Sequence, residues 1–392
     1  MTRAWEGLER ARPAGDWLRN LRVGVQIAFL LWIFLAGVNG MGDGFTLVGR
    51  SVLDQFFAAT SDPIVGLMVG LLATSLVQSS SVITSIIVGL VAAPEHPLPL
   101  ENAIPMVMGS NIGTTVTNTL VSLAHIGRPD EFQRAFAAAT CHDFFNFLTV
   151  AVLLPLELAT GYLERSATAL AGMVSAGSDL SYESPIDGLL ELTLAPLKMA
   201  AAWLFADWEQ AQGLLLVAVS AALIFVALIY LVVTMRQVML KRAESIVERA
   251  VGRSGLIAIL VGLVVTMSVQ SSSITTSLLV PFAGAGLLTL EQVFPVTLGA
   301  NIGTTITALL ASLAVSGPNA GLGITIAIVH TLFNLTGTLI FYPFPPLRRI
   351  PLTLARKLAA IAVRSRKWAL AYVLLLFYGL PGLIAMANRL LE

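Results

Sequence analysis

The sequence predicts an all-α polytopic membrane protein with inverted structural repeats and two QSSS re-entrant hairpins or broken helices. Three observations carry this reading. The 392 residues are 56% hydrophobic and only 12% charged, with a mean hydropathy of +0.83, whereas soluble domains carry roughly 25% charged residues. The apolar runs far exceed the ~10-residue alternating segments of a membrane β-barrel. Finally, Gln78-Ser79-Ser80-Ser81 recurs as Gln270-Ser271-Ser272-Ser273. Four consecutive polar side chains are costly in hydrocarbon. A single Ser-rich patch can be packing glue between membrane helices, but two copies beside Asn-Ile-Gly-Thr-Thr point to a site for a small solute.

The elements follow in order. Residues 1–22, with Arg3, Arg10, Arg12, Arg19, Trp5 and Trp17, read as an amphipathic helix on the membrane surface. No small-residue cleavage site follows, so a removable signal peptide is not expected. Val23 to Val38 reads as a first span, ended by Gly40, Gly42 and Gly44. Asp62-Pro63 starts the next helix, Pro suiting a first helical position. The arms on either side of the first QSSS are each too short for a ~30 Å core. Next come Leu100 to Met108, then Gly109-Ser110-Asn111-Ile112-Gly113-Thr114-Thr115, a polar loop at 127–134, and a span from Ala135 to Leu156 holding His142, Asp143 and Asn146. Residues 157–210 are acidic. Gln212 to Met235 spans again, and a basic stretch precedes the second QSSS. Gly299-Ala300-Asn301-Ile302-Gly303-Thr304-Thr305 follows, then a span from Leu322 to Tyr342. A basic loop (Arg348, Arg349, Arg356, Lys357, Arg364, Arg366, Lys367) leads to a last helix, Trp368 to Met386.

The halves superpose in sequence. Gln270 lies 192 residues after Gln78, Asn301 lies 190 after Asn111, and Asn334 lies 188 after Asn146. This gives five segments: an N-terminal amphipathic piece at 1–22, a transport repeat at 23–157, an acidic extracytoplasmic connector at 158–212, a second transport repeat at 213–345, and a basic cytoplasmic loop with a C-terminal transmembrane helix at 346–392. Basic residues flank the start of the first repeat and the end of the second, and the acidic region lies between. By the positive-inside rule the repeats run in opposite directions and the N-terminus is cytoplasmic. Inverted repeats with broken helices meeting at mid-membrane characterise secondary transporters. No Walker motif is present, so an ion gradient is the expected energy source.

Composition also narrows the partners. Equal numbers of basic and acidic residues, 23 each, leave no bulk attraction for nucleic acid. Cys141, the single cysteine, allows neither an internal disulfide nor a cysteine-based metal site. Half-helices restarting after Ser81, Gly113, Ser273 and Gly303 would aim backbone N–H groups at an anion. Ser, Thr, Gln and Asn oxygens can hold Na⁺. No Lys or Arg lies in either motif, so a bound anion needs another positive charge, and Na⁺ supplies it. His142 and His330 are matched between the halves and read as satisfied interior histidines. An intramembrane hydrolase using Ser80, His142 and Asp143 is the competing class, but a duplicated Ser motif has no role in that chemistry.

With "MGSNIGTTVTNT", "AFAAATCHDFFNF" and "LGANIGTTITALL" beside the paired QSSS motifs, the chain resembles the type II sodium-dependent phosphate cotransporters in their bacterial form. The resemblance covers both repeats. It implies a multi-pass protein of the bacterial inner membrane, not an enzyme, that carries divalent inorganic phosphate inward with Na⁺ and uses no organic cofactor. Its partners are phosphate, Na⁺ and lipid, with a homodimer as the candidate assembly. It places Gln78, Ser79, Ser80, Ser81, Ser271, Ser272, Ser273, Thr114, Thr115 and Thr305 at phosphate. It places Gln270, Ser271, Thr304 and Thr307 at one Na⁺, and repeat symmetry puts Gln78, Ser79, Thr114 and Thr117 at another. Asp143 matches the Asp of electrogenic members and, with Asn146, would hold a further Na⁺, giving three per phosphate. Sulfate or arsenate is the alternative oxyanion. Two departures stand out: Ala300 replaces the Ser kept at Ser110, and His125 and Arg128 stand where vertebrate relatives carry polar and acidic residues.

Overall fold

Glycine notches and proline-started helices set the architecture of the computed structural model, which describes residues 15–48, 57–175, 187–206, 208–250, 254–315 and 317–391. Most of the N-terminal amphipathic segment, including Arg3, Trp5, Arg10 and Arg12, lies outside the described residues, as does 176–186 of the acidic connector. Among the described residues all regular structure is helical. Six of the described helices are long and apolar enough to cross a membrane: Leu21–Val48, Pro129–Thr160, Glu209–Met235, Leu290–Ser312, Ala320–Phe341 and Arg366–Ala387.

In chain order the elements are α1 (Gly15–Val48), α2 (Pro63–Val77), α3 (Ser80–Val91), α4 (Leu100–Thr114), α5 (Val116–Ser122) and α6 (Pro129–Thr160). Two connector helices follow, α7 (Tyr162–Ser175) and α8 (Asp187–Leu204). The second half holds α9 (Glu209–Ala250), α10 (Gly255–Val269), α11 (Ser272–Gly284), α12 (Leu290–Ser312) and α13 (Ala320–Phe341). The chain continues through α14 (Pro345–Arg364), α15 (Arg366–Leu374), a π turn (Leu375–Gly379) and α16 (Leu380–Leu391). Helices α6 and α12 form the centre, their most apolar windows 72% and 78% buried against 22% for α1. Outward-facing side chains such as Leu76, Leu260 and Leu383 are apolar and exposed, as a lipid-facing surface requires.

Three expectations are corrected. Gly40, Gly42 and Gly44 do not end the first span, because α1 runs through them to Val48. Gly40 and Gly44 instead let α9 approach: a Cβ at Gly44 would stand 2.8 Å from the Val217 backbone N, and one at Gly40 would stand 2.6 Å from Ser220 Oγ. Small residues at a crossing give membrane helices the close contact that holds them together.

Nor do half-helices restart at Gly113 and Gly303. Helix α12 is continuous through its Asn-Ile-Gly-Thr-Thr, and α4 passes to α5 across a single turn at Thr115, whose backbone stays right-handed helical. Here too the glycines serve packing. A Cβ at Gly109 would stand 1.9 Å from Leu67 O, and one at Gly299 would stand 1.9 Å from Ile259 O. Gly113 and Gly303, one turn later, approach Leu71 O and Leu263 O in the same way. Helices α2 and α10 are thereby seated on α4 and α12.

The basic loop before the last helix is itself helical. Two prolines at the start of α14 fit its first turn. Leu352, Ala355, Ala359 and Ala362 are buried at three- and four-residue intervals, so one stripe packs inward while Arg348, Arg349, Lys357 and Arg364 stay on the polar remainder.

Candidate functional site

The chain breaks at both QSSS motifs with closely matched local geometry. Helix α2 ends on Gln78 at φ 59, ψ 24, and α10 ends on Gln270 at φ 57, ψ 27. Among the described residues these two are the only non-glycines with positive φ. A left-handed non-glycine costs roughly 1–2 kcal/mol, and such strain collects at functional sites. The next residue in each motif turns extended and caps a new helix. Ser79 Oγ accepts from Val82 N at 3.4 Å, and Ser271 Oγ accepts from Ile274 N at 3.3 Å. Helices α3 and α11 therefore begin inside the protein, with the N–H groups and positive dipole ends of their first turns at the motif.

All eight motif residues line one cavity of about 170 Å³. Its remaining wall is apolar, made by Leu228, Ile229, Val232 and Val233 of α9. No ionisable side chain lines it among the described residues. The site is thus a pair of helix N-termini and six serine hydroxyls against a hydrocarbon wall, suited to an anion whose charge is balanced by a co-bound cation.

The glutamine side chains turn toward threonines of the helices behind them. Gln78 Oε1 accepts from Thr117 Oγ1 at 3.0 Å, and Gln270 Oε1 accepts from Thr307 Oγ1 at 3.2 Å. Each amide nitrogen donates to its own preceding turn, Gln78 to Ser75 O at 2.9 Å and Gln270 to Met267 O at 2.6 Å. Ser81 Oγ reaches Thr307 Oγ1 at 3.5 Å, which ties the first motif to the second half. Thr114 and Thr304 donate back to Ser110 O and Ala300 O, and Thr115 and Thr305 to Ile112 O and Ile302 O. Their hydroxyl hydrogens are engaged, leaving lone pairs as the available chemistry.

Asp143 lies fully buried on α6. Its Oδ2 accepts from Thr119 Oγ1 at 3.2 Å and from Tyr372 OH at 2.8 Å, while Oδ1 has no hydrogen-bond partner among the described residues. Asn146, on the same helix, donates from Nδ2 to Asn111 O at 2.7 Å and accepts at Oδ1 from Asn301 Nδ2 at 2.8 Å. His142 bonds neither Asp143 nor Ser80. Its Nε2 meets Asn301 Oδ1 at 2.5 Å and its Nδ1 meets Asn118 Nδ2 at 3.2 Å, so no Ser-His-Asp relay forms. His125 and Arg128 both pair with Glu131 at the start of α6.

Sequence reasoning missed three contributors. The α9 wall reads in sequence like any lipid-facing stretch. Tyr372 and Tyr378 come from the C-terminal helix, and Tyr378 OH donates to Ser75 O at 3.1 Å with Gln78 Nε2 3.5 Å away.

Long apolar helices around a polar, interrupted centre define a multi-pass membrane protein. The Na+/Pi-cotransporter family model matches residues 33–174 and 223–342. The chain is 34% identical over 96% of its length to sodium-dependent phosphate transport protein 2A of Ovis aries, covering 69% of that protein. It is 33% identical over 93% of its length to the Rattus norvegicus 2A protein, covering 67% of it. With the Homo sapiens 2B protein it shares 32% identity over 90% of this chain and 63% of that one. No solved structure matches. The chain belongs to the Na+/Pi-cotransporter family, a family of transporters rather than enzymes.

Proposed function

We propose that the chain is a secondary active, Na⁺-coupled symporter of inorganic phosphate, with the anion held between the two QSSS turns. One observation carries the reading: both motifs, 192 residues apart in sequence, open new helices onto a single cavity with no cationic side chain among the described residues that line it. Divalent phosphate offers its oxygens to the N–H groups of α3 and α11 and to the hydroxyls of Ser79, Ser80, Ser81, Ser271, Ser272 and Ser273. Na⁺ supplies the missing positive charge. One ion is assigned to Gln270, Ser271, Thr304 and Thr307, and its counterpart to Gln78, Ser79, Thr114 and Thr117. Each set is supported by its Gln–Thr contact. A third ion is assigned to Asp143 and Asn146, where Asp143 Oδ1 is buried without a donor among the described residues. An ion there makes the cycle electrogenic.

The two family-matched segments and the like breaks at Gln78 and Gln270 support two repeats, 23–157 and 213–345, crossing in opposite directions with α2–α3 and α10–α11 as re-entrant hairpins. The relatives named for sodium-dependent phosphate transport favour phosphate over sulfate, whose tetrahedral geometry suits the same donors.

The test is ³²P-phosphate uptake into proteoliposomes with imposed Na⁺ or K⁺ gradients, with and without a membrane potential, and with sulfate and arsenate as competitors. The expected result is uptake driven by Na⁺ alone and accelerated by an inside-negative potential. Asp143→Gly should remove the voltage dependence. Uptake indifferent to Na⁺ overturns the function, and sulfate competing on equal terms with phosphate overturns the substrate.

A further inference from the structure

The C-terminal helix lies beyond the family-matched segments, which end at residue 342, yet it reaches two residues of the candidate site. Tyr372, on α15, donates its phenolic hydrogen to Asp143 Oδ2 at 2.8 Å. Tyr378, in the π turn, donates to Ser75 O at 3.1 Å and stands 3.5 Å from Gln78 Nε2. In a regular α-helix, positions six residues apart face about 120° away from each other. Tyr378 lies within the wider π turn Leu375–Gly379, which begins three residues after Tyr372, and turns of that kind gather at functional sites.

The Tyr372 ring is fixed by its neighbours. Phe136 lies edge-on at 6.2 Å and Phe377 at 6.0 Å. The hydroxyl therefore approaches Asp143 from a defined direction. With Tyr372 and Thr119 both on Oδ2, the carboxylate cannot rotate freely, and Oδ1 is the oxygen left open. The nearby Thr115 hydroxyl donates to Ile112 O at 2.8 Å rather than to this carboxylate.

We infer that Tyr372 is a positioning residue for the cation at Asp143: it locks one carboxylate oxygen so that the other is presented to Na⁺, making the C-terminal helix part of the ion site. This inference rests on the Na⁺-coupled reading above. Holding a ligand in its binding orientation removes an ordering cost from binding, and a hydrogen bond to a charged group has a strength worth at least a tenfold change in affinity. Tyr372→Phe keeps the ring and its packing and removes only the donor.

The experiment measures phosphate uptake into proteoliposomes against Na⁺ concentration for the full chain, Tyr372→Phe, Asp143→Gly and the double variant. Tyr372→Phe should raise the Na⁺ half-saturation about tenfold. Its phosphate half-saturation at saturating Na⁺ should stay at the wild-type value, and it should add nothing in the Asp143→Gly background. Purified protein in detergent gives a second readout that does not need transport, the Na⁺ concentration that raises the unfolding temperature relative to K⁺. Tyr372→Phe should need about tenfold more Na⁺ for the same rise. A wild type that responds to Na⁺ beside a Tyr372→Phe variant with unchanged or lower Na⁺ requirement overturns this inference alone. An equal effect with and without Asp143 does the same. A wild type indifferent to Na⁺ in both assays overturns the transport reading and this inference with it.

Discussion

His142 on α6 meets Asn301 on α12 through Nε2 and Oδ1 at 2.5 Å, and His330 on α13 meets Asn111 on α4 through the same atoms at 3.3 Å. Each Asn-Ile-Gly-Thr-Thr asparagine is thus gripped by the His-x-x-x-Asn of the other half. Asn146 accepts from Asn301 Nδ2 at 2.8 Å, and Asn334 donates to Asn111 Oδ1 at 3.0 Å. His and Asn four residues apart share one helix face, so each pair acts as a two-point clamp. Each clamp bonds one half of the chain to the other.

Asn301→Ala removes two of these bonds and leaves His142 and Asn146 each short of a partner in a buried place. Losing such partners costs about 1–3 kcal/mol per group left unsatisfied. The expected outcome is a lower unfolding temperature in detergent, measured by the temperature dependence of the monodisperse elution peak. A variant as stable as wild type would show that the clamp is not structural.

The loss of one serine is compensated nearby. In the first half Thr74 Oγ1 donates to Ser110 Oγ at 2.8 Å. In the second half Ala300 takes the serine's place, and Thr266 Oγ1 donates instead to Thr275 Oγ1, also at 2.8 Å. The position equivalent to Thr275 in the first half is Ile83, 192 residues earlier. Thr275→Ile should therefore lower stability by about 1 kcal/mol, and adding Ala300→Ser should restore it. Thermal unfolding of the single and double variants checks this, and the absence of rescue would sever the equivalence.

Gln270→Gly separates strain from binding. Glycine takes the left-handed backbone at Gln270 (φ 57) without a steric penalty, so the folded protein should hold its thermal stability. The carboxamide bonded to Thr307 is lost, and Na⁺-dependent uptake should fall at least tenfold. A variant that transports like wild type would remove Gln270 from the sodium ligands.

Much of this site was legible because it occurs twice. Repetition singled out Gln78–Ser81 and Gln270–Ser273, and hydrocarbon physics explained why polar residues there need a purpose. The glycines of the Asn-Ile-Gly-Thr-Thr motifs were misread, since glycine at a helix break and glycine at a helix crossing look alike in sequence. Only the neighbouring backbone distinguishes them, as Leu71 O does against Gly113. The same ambiguity hid the continuity of α1 through Gly40 and Gly44. Leu228 and Val232 were invisible as cavity walls because apolar residues facing a solute and facing lipid share one composition. Tyr372 is brought to Asp143 by tertiary packing across 229 residues, and no local pattern announces that.

Substrate protection of single cysteines tests most directly whether both motifs build one phosphate site. The native Cys141 is fully buried whereas Ser80 and Ser272 line the cavity, so Ser80→Cys and Ser272→Cys are to be labelled through it with a small water-soluble thiol reagent over a low background. Na⁺ with phosphate should slow labelling at both positions, and Na⁺ with gluconate should not. Protection of one position alone, or of neither while wild-type protein transports phosphate, would contradict a shared site.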